Sequence, residues 1–144
     1  MTWADKKIRE YRDGQPPTFL ERMMLGLANP VVSLLAIIGV AILFYGLWVH
    51  AWLWITAGII IYVWGVVYGQ LRSWPARQVE QYRQGQEATW LELRILEHAH
   101  PVNFILALVG VVMIIYGLWM QSWLWISAGI IVNIFGHAYT WQRG

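Results

Sequence analysis

The sequence predicts an all-α membrane protein, with four transmembrane helices in two tandem hairpins, each preceded by a cytoplasmic amphipathic helix. Three observations carry this fold class. Apolar residues make up 58% of the 144 positions and charged residues only 12%, against about 25% charged in soluble domains. The ten Lys and Arg and the eight Asp and Glu all fall within 5–22, within 72–97 or at Arg143. Between them lie two blocks without an ionised side chain, Leu25–Leu71 and His98–Gln142. Finally, residues 4–73 align without a gap on 75–144, with about 30 identities in 70 positions.

At roughly 150 residues per domain the length allows one compact unit. The composition excludes a nucleic-acid-binding domain, a disordered tail and a soluble enzyme of ordinary make-up. With no cysteine in the chain, it also excludes a disulfide frame, a thiolate metal site and a Cys nucleophile. A net charge of +2 is too small to argue for a polyanionic partner. The expected partners are the lipid bilayer and either other membrane subunits or further copies of this chain.

The first unit, residues 1–73, opens with a charged segment. Because the first span starts only near residue 31, a signal peptide is not expected. Pro16-Pro17 stops any earlier helix. Thr18-x-x-Glu21 fits a capping box, and a helix over about 18–28 carries Phe19, Leu20, Met23, Met24 and Leu27 on one face. Such a helix is expected to lie along the inner membrane surface. Pro30 marks the turn into the bilayer, and spans follow over about 31–48 and 53–70.

The second unit, residues 74–144, repeats this plan. Thr89-x-x-Glu92 caps a helix over about 89–99, Pro101 marks the turn, and spans run over about 102–119 and 124–141. Each block is twice the length of one crossing, which needs about 20 residues. Each is broken midway by a polar stretch between tryptophans, Trp48-Val49-His50-Ala51-Trp52 and Trp119-Met120-Gln121-Ser122-Trp123. Two spans per unit give the copies the same orientation, related by a pseudo-twofold along the membrane normal.

The basic residues occupy the N-terminal segment, the central loop and Arg143, and none lies in the opposite turns. The positive-inside rule then makes both termini and the central loop cytoplasmic, in a cell (inner) membrane. Trp48, Trp52, Trp54, Trp119, Trp123 and Trp125 form an aromatic belt at the outer interface. Glycines recur at intervals of seven, as Gly39/Gly46, Gly58/Gly65, Gly110/Gly117 and Gly129/Gly136. Each pair lies on one stripe, where a bare backbone lets a neighbouring helix approach closely.

The copies differ most where they are polar. His98, His100, Asn103, Asn133 and His137 stand opposite Leu27, Asn29, Val32, Tyr62 and Val66. All five belong to the cytoplasmic leaflet, whereas His50 lies about 30 Å away on the other side. His98, His100 and His137 are the candidate metal or cofactor ligands, since neutral imidazole suits iron, zinc and copper. Asn103 and Asn133 are polar residues within the spans, and their bland role is a hydrogen bond between helices. No carboxylate lies within the spans, so a proton relay or cation path has no carrier.

Glu97-His98-Ala99-His100-Pro101, Gly110 and Gly129-x6-Gly136-His137 resemble the pattern of a family of small membrane proteins that includes the 2-hydroxy-palmitic acid dioxygenases. The match spans about 45 residues of the second unit. The resemblance implies Fe(II) held by histidines and oxidation of a 2-hydroxy fatty acid. The family's second His falls on Ala107 and its later acidic residue on Trp141, and its Asn-x-Pro tail is absent. Iron would then need His100 as a substitute ligand. These departures favour a non-catalytic accessory or packing subunit of a larger membrane complex, in contact with lipid or pigment. The iron-dependent dioxygenase is the alternative.

The charge census generates a direct test. Single cysteines at positions 50 and 84 should react with an impermeant thiol reagent from opposite sides of the membrane. Labelling of both from one side would refute the four-span reading.

Overall fold

The computed structural model describes residues 1–142, and Arg143, counted above among the cytoplasmic charges, lies outside them. All regular structure among the described residues is helical. In order come α1 (Trp3–Arg12), α2 (Phe19–Leu27), α3 (Pro30–Trp48), α4 (Trp52–Leu71), α5 (Trp74–Arg83), α6 (Trp90–Leu96), a 3₁₀ turn (Glu97–Ala99), α7 (Pro101–Trp119) and α8 (Trp123–Gln142). Among the described residues three helices, α3, α4 and α7, are long and apolar enough to cross a membrane. The fourth long helix, α8, has 20 residues but carries Asn133 and His137, which dilute its hydropathy.

Local chemistry explains the boundaries. Both expected capping boxes form: Thr18 and Thr89 accept from the backbone N–H of Glu21 and Glu92, whose carboxylates accept from the threonine N–H groups. A third, Thr2 with Asp5, starts α1. Pro30 and Pro101 open α3 and α7, where the missing N–H costs nothing. At the far ends of these helices, His50 and Gln121 take left-handed φ of 54° and 50°. The Ala51 N–H reaches the Gly46 carbonyl at 2.9 Å and the Ser122 N–H reaches that of Gly117 at 2.8 Å, the Schellman closure of a helix end.

The short-helix segments differ from expectation in three respects. Each unit carries two short helices rather than one, because α1 and α5 present an apolar stripe of Ala4, Ile8 and Tyr11, and of Val79 and Tyr82. Their charged residues mask that stripe in a composition scan. The helix expected over 89–99 is split, α6 ending at Leu96 before the 3₁₀ turn. The buried face of α2 is Glu21, Leu25 and Gly26, while Phe19 and its counterpart Trp90 are 72% and 73% exposed. The four short helices and the 3₁₀ turn share a core of Ala4, Ile8, Tyr11, Leu25, Val79, Tyr82, Leu96 and Ala99, so packing among themselves decides which face is covered.

The long helices pair in order, α3 against α4 and α7 against α8. Glycines set their spacing. A Cβ on Gly58 would sit 2.5 Å from the Leu43 nitrogen and 2.7 Å from the Gly39 oxygen, and one on Gly129 would sit 2.6 Å from the Gly110 oxygen. Toward the turns that join α3 to α4 and α7 to α8, a Cβ on Gly46 or Gly117 would meet the Ile55 or Ile126 nitrogen at 2.6 and 2.7 Å. Backbone meets backbone there, as in small-residue packing in lipid. The two pairs touch through α3 and α7.

Two of the expected packing glycines do not bring main chains together. Gly65 is buried, yet a Cβ on it would meet the side chain of Leu35, with Leu35 Cβ at 3.0 Å, and the closest main-chain atom, the Val32 oxygen, at 3.7 Å. Straight helices that cross at an angle touch closely over only part of their length. The close approach centred on Gly58 has therefore opened by Gly65, two turns on, and a leucine fills the gap. Its register partner Gly136 likewise faces a side chain, that of Asn103.

Contacts across the two copies are reciprocal at the 71-residue offset. Arg12 Nε donates to the Tyr82 carbonyl at 3.3 Å, and Arg83 Nε donates to that of Tyr11 at 3.2 Å. At the opposite end His50 Nε2 donates to the Trp119 carbonyl at 2.6 Å, and Gln121 Nε2 to that of Trp48 at 2.8 Å. Trp48 packs on Trp123 and Trp52 on Trp119, with centroids 5.3 and 5.7 Å apart.

Gly58→Val should therefore force α3 from α4, since the added atoms meet main chain on the facing helix. Overpacking of this kind costs about 1–3 kcal/mol, read as a lower midpoint of thermal unfolding in detergent. Gly14→Ala, where a Cβ has nothing within 4 Å but φ is +91°, separates backbone strain from helix contact.

Candidate functional site

The polar residues of the second copy gather where α6, the 3₁₀ turn, α7 and α8 meet. Glu97, at 0% exposure, is the centre of this cluster. Its carboxylate faces Arg94 at 2.7 Å and His137 Nδ1 at 3.0 Å, and it accepts from the indole N–H of Trp141 at 3.1 and 3.2 Å. The Arg94 guanidinium also lies 5.0 Å over the Trp141 ring. The cation and the donors take the place of the hydration that a carboxylate so enclosed has lost.

Asn103 extends the cluster. It is fully buried, and its amide donates to the Glu97 carbonyl at 3.1 Å. Gly136 makes room for it, because a Cβ there would collide with Asn103 Oδ1. Asn133 instead donates to the Gly129 carbonyl of its own helix at 3.0 Å and covers Gly110. The interhelical hydrogen bond expected of Asn133 is thus made along α8, one turn back.

Of the three candidate imidazoles, two converge. The rings of His98 and His137 meet edge to face with centroids 4.6 Å apart. His98 Nδ1 lies 3.2 Å from the Arg94 carbonyl. A carbonyl only accepts, so that nitrogen carries the proton. His137 Nδ1 is likewise turned to a carboxylate. Burial, and then the nearby His137, push the His98 pKa below the ordinary imidazole value.

His100 stands apart. Its Nδ1 accepts from the Val102 N–H at 3.2 Å, capping α7, as the Asn29 side chain caps α3 at 2.9 Å. Its ring packs on Trp3 and Tyr139, and burial lowers its pKa too. Among the described residues no three side chains of ligand type converge as a metal centre would require. Ala107, where the resembling family places a histidine, lines an apolar groove instead.

Glu97 is the residue that sequence reasoning missed. A signal was present: in the 71-residue register Glu97, His137 and Trp141 replace Gly26, Val66 and Gln70, three changes that meet around one carboxylate.

Removing one partner of a buried pair costs about 3–5 kcal/mol. Glu97→Ala should cost that much in detergent unfolding, whereas the double change Glu97→Leu with Arg94→Met should recover most of it. Unfolding across pH should show a second effect. His98 binds its proton less readily folded than unfolded, so its full contribution is present above about pH 6.5. Stability should fall as pH drops below that value, and His98→Phe should flatten this limb.

No family model, curated protein or solved structure matches this chain.

Proposed function

We propose that the chain is a non-catalytic accessory subunit of the cell membrane, in which α3, α4, α7 and α8 all cross the bilayer. Both termini and the α5–α6 segment lie in the cytoplasm, and the two 71-residue copies are related by a pseudo-twofold. The reciprocal arginine and His50/Gln121 contacts support this arrangement. So does the partnering of the polar groups on α8, which lowers the cost of placing that helix in hydrocarbon.

The observation that carries the non-catalytic reading is the enclosure of Glu97. Arg94 forms an ion pair with this one residue, His137, Trp141 and Asn103 direct their hydrogen bonds to it, and His100 is a helix cap. The polar divergence of the second copy thus joins helices to each other. The outer faces of the long helices are broad and apolar, with Ile37, Ile60, Trp64, Ile134 and Phe135 exposed. They suit lipid and the flanks of other membrane subunits.

One observation favours the second reading, an Fe(II)-dependent oxygenase of 2-hydroxy fatty acids. His98 and His137 meet with each Nδ1 held by a protein oxygen, the arrangement that leaves Nε2 to a metal. The donor set does not fit, because Glu97 is engaged with Arg94 and Trp141, and Ala107 offers nothing. Non-haem iron of this type is usually held by two histidines and a carboxylate.

Purification in mild detergent from native membranes tests both readings. The expected result is co-elution with larger membrane proteins and iron far below one per chain. Stoichiometric iron lost in His137→Ala, together with oxygen uptake on 2-hydroxypalmitate, would overturn the first reading in favour of the second.

A further inference from the structure

The seam between the two helix pairs is not closed along its length. A groove of about 540 Å³ runs beside it, lined from both copies by Ser33, Ala36 and Ile37 of α3 and by Phe104, Ala107 and Leu108 of α7. Its volume lies within the range of about 300–1,000 Å³ typical of small-ligand sites. Ala36 and Ala107 occupy the same place in the 71-residue register, so each copy presents only a methyl group to the groove at that position. Met24 and Leu27 of α2, and Leu91 and Ile95 of α6, continue the wall toward the cytoplasm.

Three polar side chains line the groove: the Ser33 hydroxyl already donates to the Leu27 carbonyl, Tyr62 lies midway along α4, and His98 stands at the cytoplasmic end. His98 lines the groove, and its protonated Nδ1 faces the Arg94 carbonyl at 3.2 Å. Nε2 is therefore the bare acceptor. It makes no hydrogen bond among the described residues, nor is it one of the sealed, unpartnered atoms. Among the described residues no Lys or Arg lines the groove, and the nearby Arg94 is paired with Glu97 at 2.7 Å. A carboxylate or phosphate headgroup would meet an acceptor and no cation. A hydroxyl would meet its complement.

We propose that this groove holds one acyl chain of an uncharged, hydroxyl-bearing glycerolipid, a diacylglycerol, with its hydroxyl donating to His98 Nε2. The inference rests on the membrane reading above and names the lipid. The chain lies along α3 and α7 past Ala36 and Ala107, and the hydroxyl stays at the depth of the 3₁₀ turn. The same geometry selects against free fatty acids, whose carboxylate cannot donate.

The test uses the full chain in phosphatidylcholine nanodiscs, with bound lipid counted by native mass spectrometry. Three probes are offered: dioleoylglycerol, its 3-acetyl ester with the same tails and no hydroxyl, and oleic acid. Dioleoylglycerol should occupy one site per chain and be preferred over the ester by about 3- to 10-fold, the worth of one neutral hydrogen bond. His98→Phe should erase that preference. Ala36→Phe and Ala107→Phe, which fill the groove from opposite walls, should each lower occupancy roughly tenfold or more. Equal binding of ester and alcohol, tighter binding of oleate, or full occupancy in both filled variants would overturn the proposal. Cysteine labelling at positions 50 and 84 of the same samples keeps the two readings separate. Lipid discrimination that fails while labelling stays two-sided removes this inference alone.

Discussion

Lipid tails are as apolar as leucine, so nothing in the bilayer pushes helices together as water does. The rest of this structure follows from that constraint. Within each pair the helices hold by backbone proximity, with Gly39 against Gly58 and Gly110 against Gly129. Between the pairs no comparable glycine contact exists among the described residues, and polar and aromatic contacts at the two ends do the joining. At the end that carries the short helices lies a conventional apolar core, shared by the four short helices and the 3₁₀ turn. At the opposite end, side chains of one copy close the helix carbonyls of the other. The groove beside α3 and α7 is what remains where neither mechanism operates.

The same constraint explains why the second copy carries its additional carboxylate outside the long helices. A charge inside the hydrocarbon would be costly on any of the long helices. Glu97 sits just before α7, where Arg94 from the preceding helix and Trp141 from the last turn of α8 can reach it. The residue facing it in the first copy is Gly26, whose Cβ position is filled by the Gln70 side chain. One copy thus fills this position with an amide from α4, the other with an ion pair, a histidine and an indole.

Much of the architecture was legible because it is local. Capping threonines, Pro30 and Pro101, the charge-free blocks and the seven-residue glycine spacing each act within a turn or two of the chain. The ends of the long helices fall within one residue of their expected places. Gly65 marks the limit of such reading: spacing puts it on the stripe of Gly58, but the distance to the facing backbone depends on how the two helices cross. The site was less legible because burial is not local. Glu97 read as the last charge before the third span, within the helix expected over 89–99, and only the arrival of α8 turns it into a centre. His100 read as a ligand because its chemistry permits it, although its register partner Asn29 precedes a proline and marks the position as a cap. The stripe on α1 and α5 was hidden by charges, and the exposure of Phe19 and Trp90 depends on which neighbours the short helices choose.

The reciprocal contacts have a consequence for how such a molecule can change. Each copy carries both halves of the joint: an arginine and the carbonyl its counterpart seeks, and a turn side chain and the helix end it closes. Two separate 71-residue chains with these features would be self-complementary, and their association would depend on concentration. Covalent linkage makes the encounter intramolecular. It also removes the penalty on asymmetry, because a substitution that would appear on both sides of the joint in two separate chains appears on one side here. A buried carboxylate duplicated across a twofold would have to be tolerated twice. In a fused pair it is accommodated once, and the unmodified copy serves as the scaffold against which the other is free to vary.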